Sequence, residues 1–148
     1  MKNLFLSVAL ILMSFGANSQ FVYKSVSSDF DGNYRIAYSQ DAYGNLLKLE
    51  NVDGAVVLYI TGSYFCDEYP NVDLLFVVNG EKIVYTLDAF KSNDSKTLFL
   101  LEDLGNSNVL KNFFNGTKLK IRVNESSCDD DYFEFSLSNS TNAYNFMK

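Results

Sequence analysis

Apolar and polar residues alternate with a period of two along most of this chain. The pattern is clearest in the stretch VDLLFVVNGEKIVYTL, residues 72–87. A two-residue type I′ turn needs positive φ at both central positions, and Asn79-Gly80 supplies it. Centring the turn there pairs Val78 with Glu81, Phe76 with Ile83, Leu74 with Tyr85 and Val72 with Leu87. Strand side chains alternate between faces, so these pairs share one face, apolar except at its tip. The other face pairs Val77 with Lys82, Leu75 with Val84 and Asp73 with Thr86, a mixed surface that is half covered. A slip of one residue would bury Asp73 and Lys82, so the register is strongly specified.

The same logic recurs on both sides. Phe21 to Val26 reads as a first strand, and Asp31-Gly32 as a turn. Tyr34, Ile36 and Tyr38 then alternate with Arg35, Ala37 and Ser39, which predicts that the bulky set faces the core. Asp53-Gly54 centres another hairpin with Leu47, Leu49, Val56, Leu58 and Ile60 inward, and with Lys48, Glu50 and Tyr59 outward. The segment 64–71 is a loop holding the only proline, 88–96 is a polar loop, and 98–101 is a short strand.

Helical spacing is scarce. Val109, Leu110, Phe113 and Phe114 follow Ser107 as a cap and precede Gly116, which predicts a short helix near 107–115. Leu119, Ile121 and Val123 alternate with Lys118, Lys120 and Arg122, a strand with a basic outer face. Phe133, Phe135 and Leu137 form the inward side of a last strand. Ser140 caps a final helix near 140–147 that carries Ala143, Tyr144 and Met147. Short strands closed by frequent turn signals predict an all-β fold: a single antiparallel β-sandwich of roughly eight or nine strands with two short helices.

Length and composition refine this picture. The 148 residues suit one domain. Lys2 precedes the apolar run 4–15, and Gly16-Ala17-Asn18-Ser19 follows it, the layout of a secretory signal peptide cut before Gln20. The run is shorter than the roughly 20 residues of a membrane span. Residues 20–148 then form the domain, exported to the periplasm or beyond, with no membrane span. Losing residues 1–19 removes Lys2 alone among the charges, so the net charge goes from −6 to −7. A surface of that sign repels phosphate backbones, which excludes nucleic acid as a partner. It favours solubility or a basic partner.

Two cysteines, Cys66 and Cys128, form one bridge in an oxidising compartment. The chain contains no histidine, which removes Ser-His-Asp and Cys-His catalysis and histidine-based zinc sites. No catalytic set, cofactor motif or metal motif emerges. Residues 29–33 carry oxygens at alternate positions, as a calcium loop does. However, Tyr34 stands where such a loop needs glycine and Gln40 where it needs glutamate, so the stretch reads as a turn.

Tyr64, Phe65 and Tyr69 share one loop and suit a sugar- or protein-binding platform as well as core packing. A Cys66–Cys128 bridge would bring Asp67 and Glu68 near Asp129, Asp130 and Asp131. Such an acidic rim would hold calcium, dock a basic partner, or simply be solvated.

The segments NFFNGTKLKIRV (112–123) and FEFSLSNSTNAYNF (133–146) give the C-terminal half a characteristic order of helix turn, strand, cysteine loop and aromatic strand. In this it resembles small periplasmic or secreted β-sandwich families such as the invasion-associated locus B proteins and type VI secretion accessory proteins. The resemblance implies an export-dependent, non-catalytic sandwich and carries no site residues. Three roles follow as expectations: an exported interaction or accessory protein with a protein or glycan partner, a ligand-binding module for glycan or calcium, and an inhibitor of a basic secreted enzyme such as lysozyme.

Overall fold

In a computed structural model, residues 20–28, 32–100 and 108–148 are described. The expected leader over residues 1–19, the aspartates of the expected 29–33 turn and the expected Ser107 cap lie outside them. In chain order the elements are β1 (Val22–Ser28), β2 (Gly32–Gln40), β3 (Leu46–Val52), β4 (Ala55–Thr61), β5 (Asn71–Val78), β6 (Glu81–Lys91), β7 (Thr97–Leu100), α1 (Asn108–Asn115), β8 (Lys118–Asn124), β9 (Asp131–Ser136) and α2 (Ser140–Met147). Among the described residues the fold is all-β with two short helices. The strands form one antiparallel sheet in the order β1-β2-β3-β4-β7-β6-β5-β8-β9.

The central hairpin has the register its turn dictates. Val78 faces Glu81, and Phe76 faces Ile83. Asn79 and Gly80 both take positive φ, at 52° and 84°. The β3–β4 hairpin repeats this at Asp53-Gly54, and Leu47, Leu49, Val56, Leu58 and Ile60 are all buried.

Strand β6 is longer than the alternation predicts, and residues 88–91 are strand rather than loop. After Asp88 the strand leaves β5, and Ala89, Phe90 and Lys91 pair with Leu100, Phe99 and Leu98 of β7. Ala89 is fully buried at this changeover. A strand that changes partner joins two halves, β1-β2-β3-β4-β7 and β5-β8-β9, whose inner faces share one core. The far ends of the sheet also meet. Ser39 Oγ of β2 donates to the Ser136 carbonyl of β9 at 3.2 Å, and Phe21 N donates to the Ser138 carbonyl at 2.8 Å.

Strand β2 corrects the sequence reading. Ala37 and Ser39 face inward, each 1% exposed, while Tyr34 is 45% exposed and Ile36 and Tyr38 stay partly exposed. The cause is tertiary. Pairing with β3 sets Ala37 beside Leu49 and Ser39 beside Leu47, both inward. On this inward face β9 lies behind Ser39, whose hydroxyl reaches the Ser136 carbonyl, and α2 lies behind Arg35, whose guanidinium stands over Phe146.

The helices close the ends of the core. In α1, Val109 and Phe113 point inward, and Asn112 Nδ2 donates to the Tyr85 hydroxyl at 2.6 Å. Gly116 follows the last helical residue, and only glycine fits there, because a Cβ would lie 2.7 Å from the Asn112 carbonyl and 2.9 Å from Leu137 Cδ1. In α2, Ser140 does not cap. It is the first helical residue, and its hydroxyl donates to the Phe113 carbonyl at 2.8 Å, which ties the two helices together. Asn139, in a left-handed conformation, occupies the cap position. The last carbonyls of α2 are met by Arg35 Nη1 at Phe146 and Asn51 Nδ2 at Met147, both at 3.0 Å.

Candidate functional site

The loop 62–70 and the loop 124–131 come together beside the ends of β5 and β8. Cys66 and Cys128 form a disulfide with their Cα atoms 6.2 Å apart. Around the bridge each loop lends a carboxylate to the backbone of the other. Glu125 Oε1 accepts from the Cys66 and Asp67 amides at 2.7 and 3.1 Å. Asp67 Oδ2 accepts from the Ser126 amide and hydroxyl at 2.5 and 2.9 Å. Those serine donors hold the Asp67 carboxyl down to about 2, because they stabilise its charged form.

Glu125 is the feature the sequence did not announce. Its side chain is 8% exposed, and Oε2 lies 2.9 Å from Cys128 Sγ. A disulfide sulfur has no proton to give, so this is close packing. The three residues stand near enough to ligate a metal, but metal binding needs thiolates, and here the sulfurs are bonded to each other. No local signal marks Glu125, since it acts on residues 59 and 58 positions away.

The first loop is fastened along most of its backbone. The Phe65 amide donates to the Ser95 carbonyl at 2.8 Å, Lys91 N donates to the Glu68 carbonyl at 2.9 Å, and Ala89 N donates to the Pro70 carbonyl at 3.1 Å. Lys91 Nζ reaches the Cys66 carbonyl at 2.9 Å. Phe65 is fully buried, with Phe133 as its aromatic neighbour, so it anchors the loop and presents no face to a ligand. Tyr64 and Tyr69 are the opposite case, 66% and 72% exposed on this rigid frame.

The acidic residues of the two loops do not all converge. Asp130 Oδ1 accepts from the Glu125 amide at 3.2 Å, and Asp131 Oδ2 accepts from the Ser63 hydroxyl at 2.9 Å. With Asp67 they are occupied by local donors, while Glu68 and Asp129 are exposed. The arrangement is a braced pair of loops bearing two outward tyrosines and a negative rim.

A concavity of about 480 Å³ lies on the outer side of β5-β8-β9, with Leu75, Val84 and Tyr132 among its walls. The basic stripe expected on β8 is neutralised there. Arg122 pairs with Asp73, and Glu134 sits between Lys118 and Lys120 at 2.5 and 3.0 Å.

Fold and site together define a small antiparallel β protein with disulfide-tethered loops. Among solved structures the chain is similar to the crystal structure of invasion associated protein B from Bartonella henselae, with a TM-score of 0.56 and 14% identity over 84% of this chain and 90% of that one. At this identity the likeness is one of fold. It extends well beyond the C-terminal half in which the sequence resemblance lies. No family model matches the chain, and no curated protein matches it.

Proposed function

We propose that this is an exported, non-enzymatic interaction protein that docks a basic protein partner on the rim formed by the loops 62–70 and 124–131. The observation that supports this reading most directly is the pair of outward tyrosines, Tyr64 and Tyr69, on a loop whose backbone is fastened on several sides. A rigid platform loses little entropy on binding, and tyrosine gives large contact area with few rotatable bonds. Glu68 and Asp129 add the negative charge that steers a basic partner. The leader-like residues 1–19 and the disulfide both fit export.

Lysozyme, a basic secreted enzyme, is the first probe. Calorimetric titration should show binding that weakens with salt and is lost in Tyr64→Ala/Tyr69→Ala. A glycan array run in parallel tests the sugar reading of the same tyrosines. Binding to neutral glycans that is insensitive to salt, with none to lysozyme, would replace the basic partner with a carbohydrate. Protein purified from whole cells should begin at Gln20, and retention of residues 1–19 would end the export reading.

A further inference from the structure

The outward face of the β1-β2-β3-β4-β7 half lies apart from the tethered loops and has a use of its own. Register carries one row across it: Tyr38 pairs with Lys48, Lys48 with Tyr59, Tyr59 with Phe99, and Phe99 with Phe90. Residues paired across an antiparallel ladder share a face, so the row crosses five strands opposite the buried core positions. Phe90 and Phe99 stack with ring centres 4.8 Å apart, and Phe99 and Tyr59 stand 5.4 Å apart. Each of these side chains remains partly exposed. The reversed orientation of β2 enlarges the same surface. A soluble monomer rarely leaves so broad an apolar surface to water.

Charge indicates what covers it. Among the outward residues of β1, β2, β3, β4 and β7 Glu50 is the one carboxylate, and Asp88 of β6, two residues before Phe90, is a second at the margin. Lys48 stands two positions away on the same strand and face. Lys24 of β1, paired with Ile36, adds a second cation nearer the edge. A cation and an anion side by side on one strand are complementary to the same pair turned about a two-fold axis. Cations here at least balance the carboxylates, so two net-negative chains can approach through this face.

We propose that this face is the contact surface of a symmetric homodimer, two sheets stacked so that Lys48 of each copy meets Glu50 of the other. Stacked sheets pack about 10 Å apart. At about 4.8 Å per strand and 3.3 Å per residue, the face measures roughly 24 by 20 Å. That is about 480 Å² in projection, and side-chain relief brings it toward, at the lower end, the ~800 Å² per partner of a standard interface, as suits a weak, concentration-dependent dimer.

Sedimentation equilibrium on the exported protein is the test. The native chain should sediment as a dimer. Lys48→Glu alone and Glu50→Lys alone each place like charges opposite one another twice over, and each should weaken association by about tenfold or more. The double reversal Lys48→Glu/Glu50→Lys restores opposite pairs and should restore the dimer. Circular dichroism and thermal melting of each variant confirm that it is folded, and Thr61→Lys, on the same face and off the aromatic row, is a second disrupting variant should a charge reversal fail to fold. A native chain that stays monomeric throughout the concentration range overturns the proposal. So does a dimer indifferent to the single reversals, or one that the double reversal fails to recover.

Discussion

Replacing Glu125 with alanine tests the clasp around the disulfide. The side chain is buried, and Oε1 satisfies two backbone amides, Cys66 N at 2.7 Å and Asp67 N at 3.1 Å. Removing it leaves both donors without an acceptor, and each buried, unsatisfied N–H costs ~1–3 kcal/mol. Some water entry and loop relaxation will offset part of that, so the expected loss is about 3 kcal/mol. For a chain of this size 1 kcal/mol moves Tm by roughly 2–4 °C, which gives a fall of about 6–12 °C. Glu125→Gln keeps an acceptor oxygen and loses only the charge assistance, so it should cost about 1 kcal/mol. Glu68→Ala, an exposed carboxylate on the facing loop, is the control and should stay within about 0.5 kcal/mol of the native chain. Urea unfolding with the bridge intact measures all three. Hydrogen exchange at the Cys66 and Asp67 amides reports the two bonds themselves and should accelerate in Glu125→Ala. A Glu125→Ala protein as stable as Glu68→Ala, with both amides still protected, would refute the clasp.

Three other outcomes follow from the same geometry. Alkylation without reductant should leave the folded protein unmodified by mass, and Cys66→Ser should cost about 4 kcal/mol in the chain-entropy account of a bridge spanning 62 residues. Phe76→Ala should cost about 3–5 kcal/mol through lost burial and a cavity, and Val77→Ala on the half-covered outer face clearly less; equal costs in urea melts would contradict the one-sided core. The Asp67 carboxyl is depressed from 3.8 to about 2, so its contribution to stability is complete above the unfolded value and disappears as pH falls toward the folded one. Acid unfolding curves of the native chain and Asp67→Asn should therefore differ in slope between about pH 4 and pH 2, and superimposable curves would remove Asp67 from the acid transition.

Where structure depends on residues close in sequence, it was legible in advance. Asn79-Gly80 and Asp53-Gly54 each set a turn, and the alternation flanking them set pairings that the structure reproduces residue by residue. Two cysteines left one bridge to form, and the structure has it. The short helices declared themselves through the spacing of Val109 and Phe113 and of Ala143 and Met147.

What depended on distant parts of the chain was not legible. Alternation shows that β2 has two faces, but not which one is buried. That was decided by its pairing with β3 and by its contacts with β9 and α2, which place Ala37 and Ser39 inward and turn Tyr34, Ile36 and Tyr38 outward. The polar look of 88–91 hid a strand because its partner, β7, is reached only when β6 crosses between the halves of the sheet. Phe65 looked like part of a binding platform until Phe133 and the core closed over it. Glu125 read as one acidic residue among 18, because a buried acceptor is recognised by the donors it meets, and its donors arrive from the other side of the disulfide only once the chain has folded.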